Sequence, residues 1–130
     1  MQQRQNIPAC AAWAQKLCYS RAVRIGPFIA VSQTSAVDGA GKISGGSDPY
    51  KQAVYALQNV ETALRAAGAR FSDVIRTRIY LARFEDWTEV ARAHAEVFRD
   101  FPPTVSLLTC KMVSPEILVE FEVDAVLNDE

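Results

Sequence analysis

The 130-residue chain has one histidine, His94, and only three cysteines, at positions 10, 18 and 110. An odd number of thiols cannot form a fully paired disulfide framework, and this spacing with one imidazole matches no metal-ligand pattern. No metal and no cofactor is expected. An excess of either charge is also missing: 14 Lys and Arg against 15 Asp and Glu give a net charge of -1 and a pI near 5.8. The arginines are dispersed, so there is no basic footprint for nucleic acid. No window approaches the ~18 consecutive apolar residues of a membrane span, and the first ten residues contain no apolar leader core. A cytoplasmic protein without membrane or nucleic-acid partners is the expectation. Glycine is scarce too, with six in all, and four of them fall in the single Gly/Ser-rich stretch 36–47. Gly41-Lys42 within it is no phosphate loop, because Ala36 stands where the first glycine belongs and Ile43 where Ser or Thr should follow.

What is present is globular composition, 49% hydrophobic and 22% charged, enough for one domain around a single core. The most ordered pattern lies near the C-terminus. From Leu118 to Val126, Val119, Phe121, Val123 and Ala125 alternate with Glu120, Glu122 and Asp124, which gives a strand one apolar and one acidic face. The stretch 74–81 repeats the design with the opposite sign, Ile75, Ile79 and Leu81 expected on one face and Arg76, Arg78 and Tyr80 on the other. In one sheet the two charged rows can pair.

The remaining elements follow from local signals. Tyr19–Ile25 and Phe28–Ser32 read as a hairpin around Gly26-Pro27, the second strand buried on both faces. Asp48-Pro49 opens a helix with Asp as N-cap and Pro at the first helical position. Its stripe of Ala53, Leu57, Val60, Leu64 and Ala67 ends at Gly68. A second helix is expected over about 86–98 with Trp87, Val90, His94 and Val97 on one side, and a strand over 104–110 follows Pro102-Pro103. Residues 1–17 show no period and read as an N-terminal arm before a single domain over 18–130. Two helices cover one face of such a sheet. The other face, bearing Arg76, Arg78, Glu120, Glu122 and Asp124, is left to solvent, a ligand or another subunit.

With its motifs at 24–33 (RIGPFIAVSQ), 73–80 (DVIRTRIY) and 115–126 (PEILVEFEVDAV), the chain resembles the Rid superfamily, also called YjgF-like proteins, over about residues 18–127. The resemblance implies a chorismate-mutase-like α+β fold, a mixed sheet with two helices on one face, assembled as a homotrimer with ligand clefts between subunits. It also implies a chemistry, since the best-known members hydrolyse enamines and imines to ketones and ammonia. They hold the substrate carboxylate with an arginine near the start of the penultimate strand. Aligned through Pro115–Val126, that arginine falls on Val105, which offers neither charge nor fork geometry, and the small residue two positions on falls on Leu107. The family's water-orienting acid maps onto Glu120 and its early aromatic onto Tyr19, while Ser32-Gln33 replaces Ser-Gly at the cleft.

Glu120 is accordingly the candidate catalytic group, a general acid/base beside an apolar floor. Tyr19, Ser32, Gln33, Val105 and Leu107 are the candidate ligand contacts. A structural ion pair with Arg76 or Arg78 is the competing role for Glu120, and a hydrogen-bonded core position is the simpler role for His94. Arg21 or Arg24 could replace the missing anion contact. Two functions fit: a hydrolytic deaminase-type enzyme acting on a small amino or imino metabolite other than a standard 2-imino acid, or a non-catalytic trimeric metabolite binder or regulator. A ribonuclease reading, prompted by older descriptions of relatives, is weakened by the acidic pI.

Overall fold

The computed structural model describes residues 3–11 and 13–128. Strands β1 (Arg4–Pro8), β2 (Ser20–Ile25), β3 (Phe28–Thr34), β4 (Val74–Leu81), β5 (Thr104–Thr109) and β6 (Val119–Val126) form one sheet in the order β1-β2-β3-β6-β4-β5. All neighbours run antiparallel except β4 and β5. That parallel pair needs a crossover, supplied by α3 (Trp87–Phe98), which packs beside α2 (Pro49–Ala66). A four-residue helix, α1 (Ala14–Leu17), precedes β2. The fold is the expected α+β mixed sheet with its two long helices on one face.

α2 forms where its sequence directs. The Asp48 carboxylate accepts from the backbone N–H of Tyr50 and Lys51, Pro49 needs no partner, and Ala53, Leu57, Val60, Leu64 and Ala67 are all buried. The chain leaves the helix through Gly68 at φ 88°, a left-handed conformation that a side chain resists. Gln52, fully buried, ties α2 to two loops: its Nε2 donates to the carbonyls of Gly46 and Glu116, and its Oε1 accepts from the Leu118 N–H.

Strand β6 alternates as its sequence does, Val119, Phe121, Val123 and Ala125 buried under the helices. β4 departs from expectation. Its register shifts between Val74 and Arg76, so Val74, Thr77, Ile79 and Leu81 face the core while Ile75 is 53% exposed. A bulge of one residue reverses the facing of everything before it. β3 is not buried on both faces either: Ile29 and Val31 are covered, Phe28 and Ala30 are exposed, because the helices occupy a single side. In α3 the core positions are Val90, Ala93, His94 and Phe98, whereas Trp87 is exposed at the first turn. The arm expected over 1–17 contributes edge strand β1, with Ile7 packed against the core. The strand escaped notice because Arg-Gln-Asn-Ile-Pro has no alternation of its own and takes its conformation from pairing with β2.

Candidate functional site

The sheet face away from the helices carries three rows across its last three strands. Register sets Tyr80 between Glu120 and Leu108, Arg78 between Glu122 and Ser106, and Arg76 between Asp124 and Thr104. Opposite charges meet as the alternation implied: Arg78 Nη1 lies 3.5 Å from Asp124 Oδ2 and 3.7 Å from Glu122 Oε2. Tyr80 donates its hydroxyl to Glu122 Oε1 at 2.6 Å, and that bond to an anion pushes the phenol up to about 12. Glu122 and Asp124 are thus held in a half-exposed ion-pair network. Pairs this exposed contribute little to stability.

Glu120 stands apart from that network. Its Oε1 accepts from Gln33 Nε2 at 3.1 Å, and among the described residues Oε2 has no hydrogen-bond partner. Burial raises its carboxyl above the usual range, opposed by the charge of Arg21 and by the Gln33 bond. The competing role of an ion pair with Arg76 or Arg78 is not what the geometry gives.

Around Glu120 lies a cleft of about 470 Å³ whose polar lining includes Tyr19, Ser32, Gln33 and Glu122. Four of the six residues expected at the site are therefore together in one chain. Cys18 makes this possible for Tyr19. It closes α1 in a left-handed conformation, φ 60°, and turns the chain into β2 just before the tyrosine. Ser32 donates to the Ser20 carbonyl at 2.7 Å, which locks the end of β3 to β2.

Val105 and Leu107 are not part of this cleft. They pair with Thr77 and Ile79, residues of the helix-covered face, and β4 lies between their strand and β6. The positions of β5 that share the face of Glu120 are Thr104, Ser106 and Leu108. The correction is a slip of one residue, which in a strand exchanges the faces. It leaves the chemical conclusion standing, since none of these five residues is an arginine, while a small residue, Ser106, now occupies the site face.

Of the two alternative cations, Arg24 is excluded by its bonds: Nε donates to the Gly26 carbonyl and Nη1 to the Ala67 carbonyl, bracing the end of α2. Arg21 belongs to the site's second layer. Nη1 donates to the Gln33 carbonyl at 2.8 Å and to Thr34 Oγ1 at 3.1 Å, and Nη2 donates to the Tyr19 hydroxyl at 3.2 Å. One guanidinium so fixes Tyr19 and the Gln33 backbone, and its charge works against the upward shift of the Glu120 carboxyl. His94 is a core residue, its Nε2 2.8 Å from Thr77 Oγ1; burial lowers it to about 4.

The sequence reading missed the other wall, made by Trp13 and Leu17 before β2 and by Cys110, Lys111, Met112 and Val113 after β5. Nothing periodic marks these residues; only the apolar character of Trp13, Leu17, Met112 and Val113 without a core to join could have drawn notice. Cys110 is exposed, and burial of its sulfur together with the Glu120 charge raises its thiol, the reverse of an activated nucleophile. Among the described residues no group of three or more His, Cys, Asp or Glu could hold a metal ion, and no helix is long and apolar enough to cross a membrane.

Comparison with known proteins agrees with the fold. A Streptomyces coelicolor protein is 32% identical over 122 residues, 93% of this chain and 90% of the relative. A RutC family protein of Pyrococcus abyssi is 28% identical over 105 residues, 80% of this chain and 82% of the relative. A crystal structure from Mycobacterium tuberculosis, described as a member of the YjgF/YER057c/UK114 family, superposes with a TM-score of 0.86 at 36% identity, covering 96% of this chain and 100% of that one. Residues 10–127 match the family profile described as Endoribonuclease L-PSP, and the chain belongs to that family.

Proposed function

We propose that the protein is a hydrolytic deaminase-type enzyme acting on a small amino or imino metabolite without a carboxylate at the reacting end, in clefts completed by a homotrimer. The observation that carries this reading is Glu120: a carboxyl raised by burial, anchored through one oxygen to Gln33 and with the other oxygen open to a cleft. A carboxyl whose burial favours the protonated form, with one oxygen free, can take a proton from a ligand or water and give it back. In the reaction, water adds across the C=N bond of an imine, its oxygen bonding to carbon. Glu120 accepts a proton from that water and returns it to nitrogen, giving the carbinolamine; it then passes the carbinolamine's hydroxyl proton to nitrogen as the C–N bond breaks, which expels ammonia and leaves a ketone. Tyr19 and Ser32 supply hydroxyls to orient the ligand, and Arg21 holds Tyr19 in place.

The substrate limit follows from β5. With Thr104 and Ser106 on the site face and no arginine, a carboxylate loses a charge-assisted contact worth ~1.5–3 kcal/mol, roughly ten- to a hundredfold or more in rate. Support for the trimer is the sheet face itself, where Ile25, Phe28 and Ile75 are exposed together around a shallow depression that Val126 also lines, a patch of the kind that subunits cover.

Ammonia release should be measured with a carboxylate-free imine and with 2-iminobutyrate. The proposal expects turnover of the first, at least tenfold slower turnover of the second, and a loss of ~100-fold or more in Glu120→Gln. Ligand binding with no ammonia release from any imine would favour the other reading, a trimeric binder without turnover. The endoribonuclease description attached to the family is not adopted, because a pI near 5.8 and a cleft with two carboxylates disfavour a polyanion.

A further inference from the structure

The cleft is lopsided. Its floor is polar, Glu120, Gln33 and Tyr19, but the wall formed by α1 and the loop after β5, which also carries Cys110 and Lys111, presents Trp13, Leu17, Met112 and Val113. Leu17 is 70% exposed and Val113 66%. These two come from segments nearly 100 residues apart, and neither joins the core cluster. Exposed apolar side chains are common singly, yet a group converging on one cavity beside a carboxylate oxygen open to that cavity marks a binding site. The other apolar patch of this face, around Phe28 and Ile75, lies at the opposite end of β6, where the carboxylate that lines it, Asp124, is already paired with Arg78.

We infer that the cleft selects amines or imines bearing an apolar body of branched-alkyl or aryl size, with the nitrogen against the open oxygen of Glu120 and the body against Trp13, Leu17, Met112 and Val113. This rests on the reading of Glu120 given above and adds the half of the ligand that the acid does not touch. A ligand of this shape satisfies both walls at once: an N–H donates to Oε2, and the hydrocarbon removes the wall from water. A cavity of about 470 Å³ is within the range of sites for small organic ligands, whereas methylamine would leave the apolar wall wet.

Trp13 provides the readout. In a Trp87→Phe background, which removes the only other tryptophan, fluorescence titration at pH 7 with methylamine, isobutylamine, benzylamine and phenylacetate tests the inference. Affinity should rise at least about tenfold from methylamine to benzylamine, and phenylacetate should bind more weakly than benzylamine. Leu17→Ser combined with Val113→Ser should remove most of the benzylamine advantage while barely changing methylamine; both positions are exposed, so the variant is expected to fold, which circular dichroism checks. A flat series, or a double variant with an unchanged series, overturns the inference. The Glu120 reading fails separately: Glu120→Gln would then leave every amine affinity unchanged, whereas a uniform loss for all amines with no dependence on size would sink only the apolar wall.

Discussion

At Glu120 the fold acts on one carboxyl in two opposed ways, burial disfavouring its charge while Gln33 and Arg21 support it. Because the folded value is raised, the folded state holds this proton more tightly than the unfolded chain. The contribution of Glu120 to stability therefore falls as pH rises through that raised value. Glu120→Gln should accordingly be at least as stable as the parent at pH 7 in urea, even as turnover is lost; a clear destabilisation would mean that the charge is structural. His94 has the opposite protonation preference. Burial lowers it from 6.5 to about 4, so protonation favours the unfolded chain and stability is lost as pH falls from 6.5 toward 4. Linkage gives about 2 kcal/mol lost between pH 7.5 and 5, and urea titrations at the two values should find that dependence reduced in His94→Gln. Both residues were legible as types in the sequence. Their roles were not, because only the three-dimensional neighbours separate a carboxyl held by Gln33 from one paired with Arg78.

At the scale of elements, α2 was legible nearly to the residue, since cap, proline, stripe and glycine are all local signals. Asp48→Ala should cost ~1 kcal/mol by removing acceptors for two backbone N–H groups. Gln52 was not foreseen, although it clamps the 45–46 and 116–118 segments to α2. Gln52→Leu takes the partner from two carbonyls and one N–H in partly buried bonds, and urea denaturation should register a loss of ~1–3 kcal/mol. The alternation of β6 was readable because it has no interruption, whereas Ile75 in β4 was misplaced because a bulge leaves no mark on a run of β-branched residues. Val105 and Leu107 were misassigned for a related reason. Counting back from Pro115 passes through the 110–114 loop, whose length carries no register, and nothing in one strand's pattern tells that β4 intervenes between β5 and β6.

At the scale of the whole molecule, one sheet face is buried by α2 and α3 and the other carries both an ion-pair network and an apolar patch. The patch is the feature a lone chain does not explain. Light scattering at micromolar concentration should give the mass of three chains, and Phe28→Glu, at a residue 63% exposed here, should shift the protein toward the monomer. A parent protein that scatters as a monomer would remove the shared cleft from the account. The most direct test of the central claim is a crystal structure of the protein grown with benzylamine, whose nitrogen stands in for that of an imine. The account predicts a threefold assembly with the nitrogen within hydrogen-bonding distance of Glu120 and the ring against Leu17 and Val113. Density lodged only at the 39–46 loop, with the Glu120 cleft empty, would contradict it.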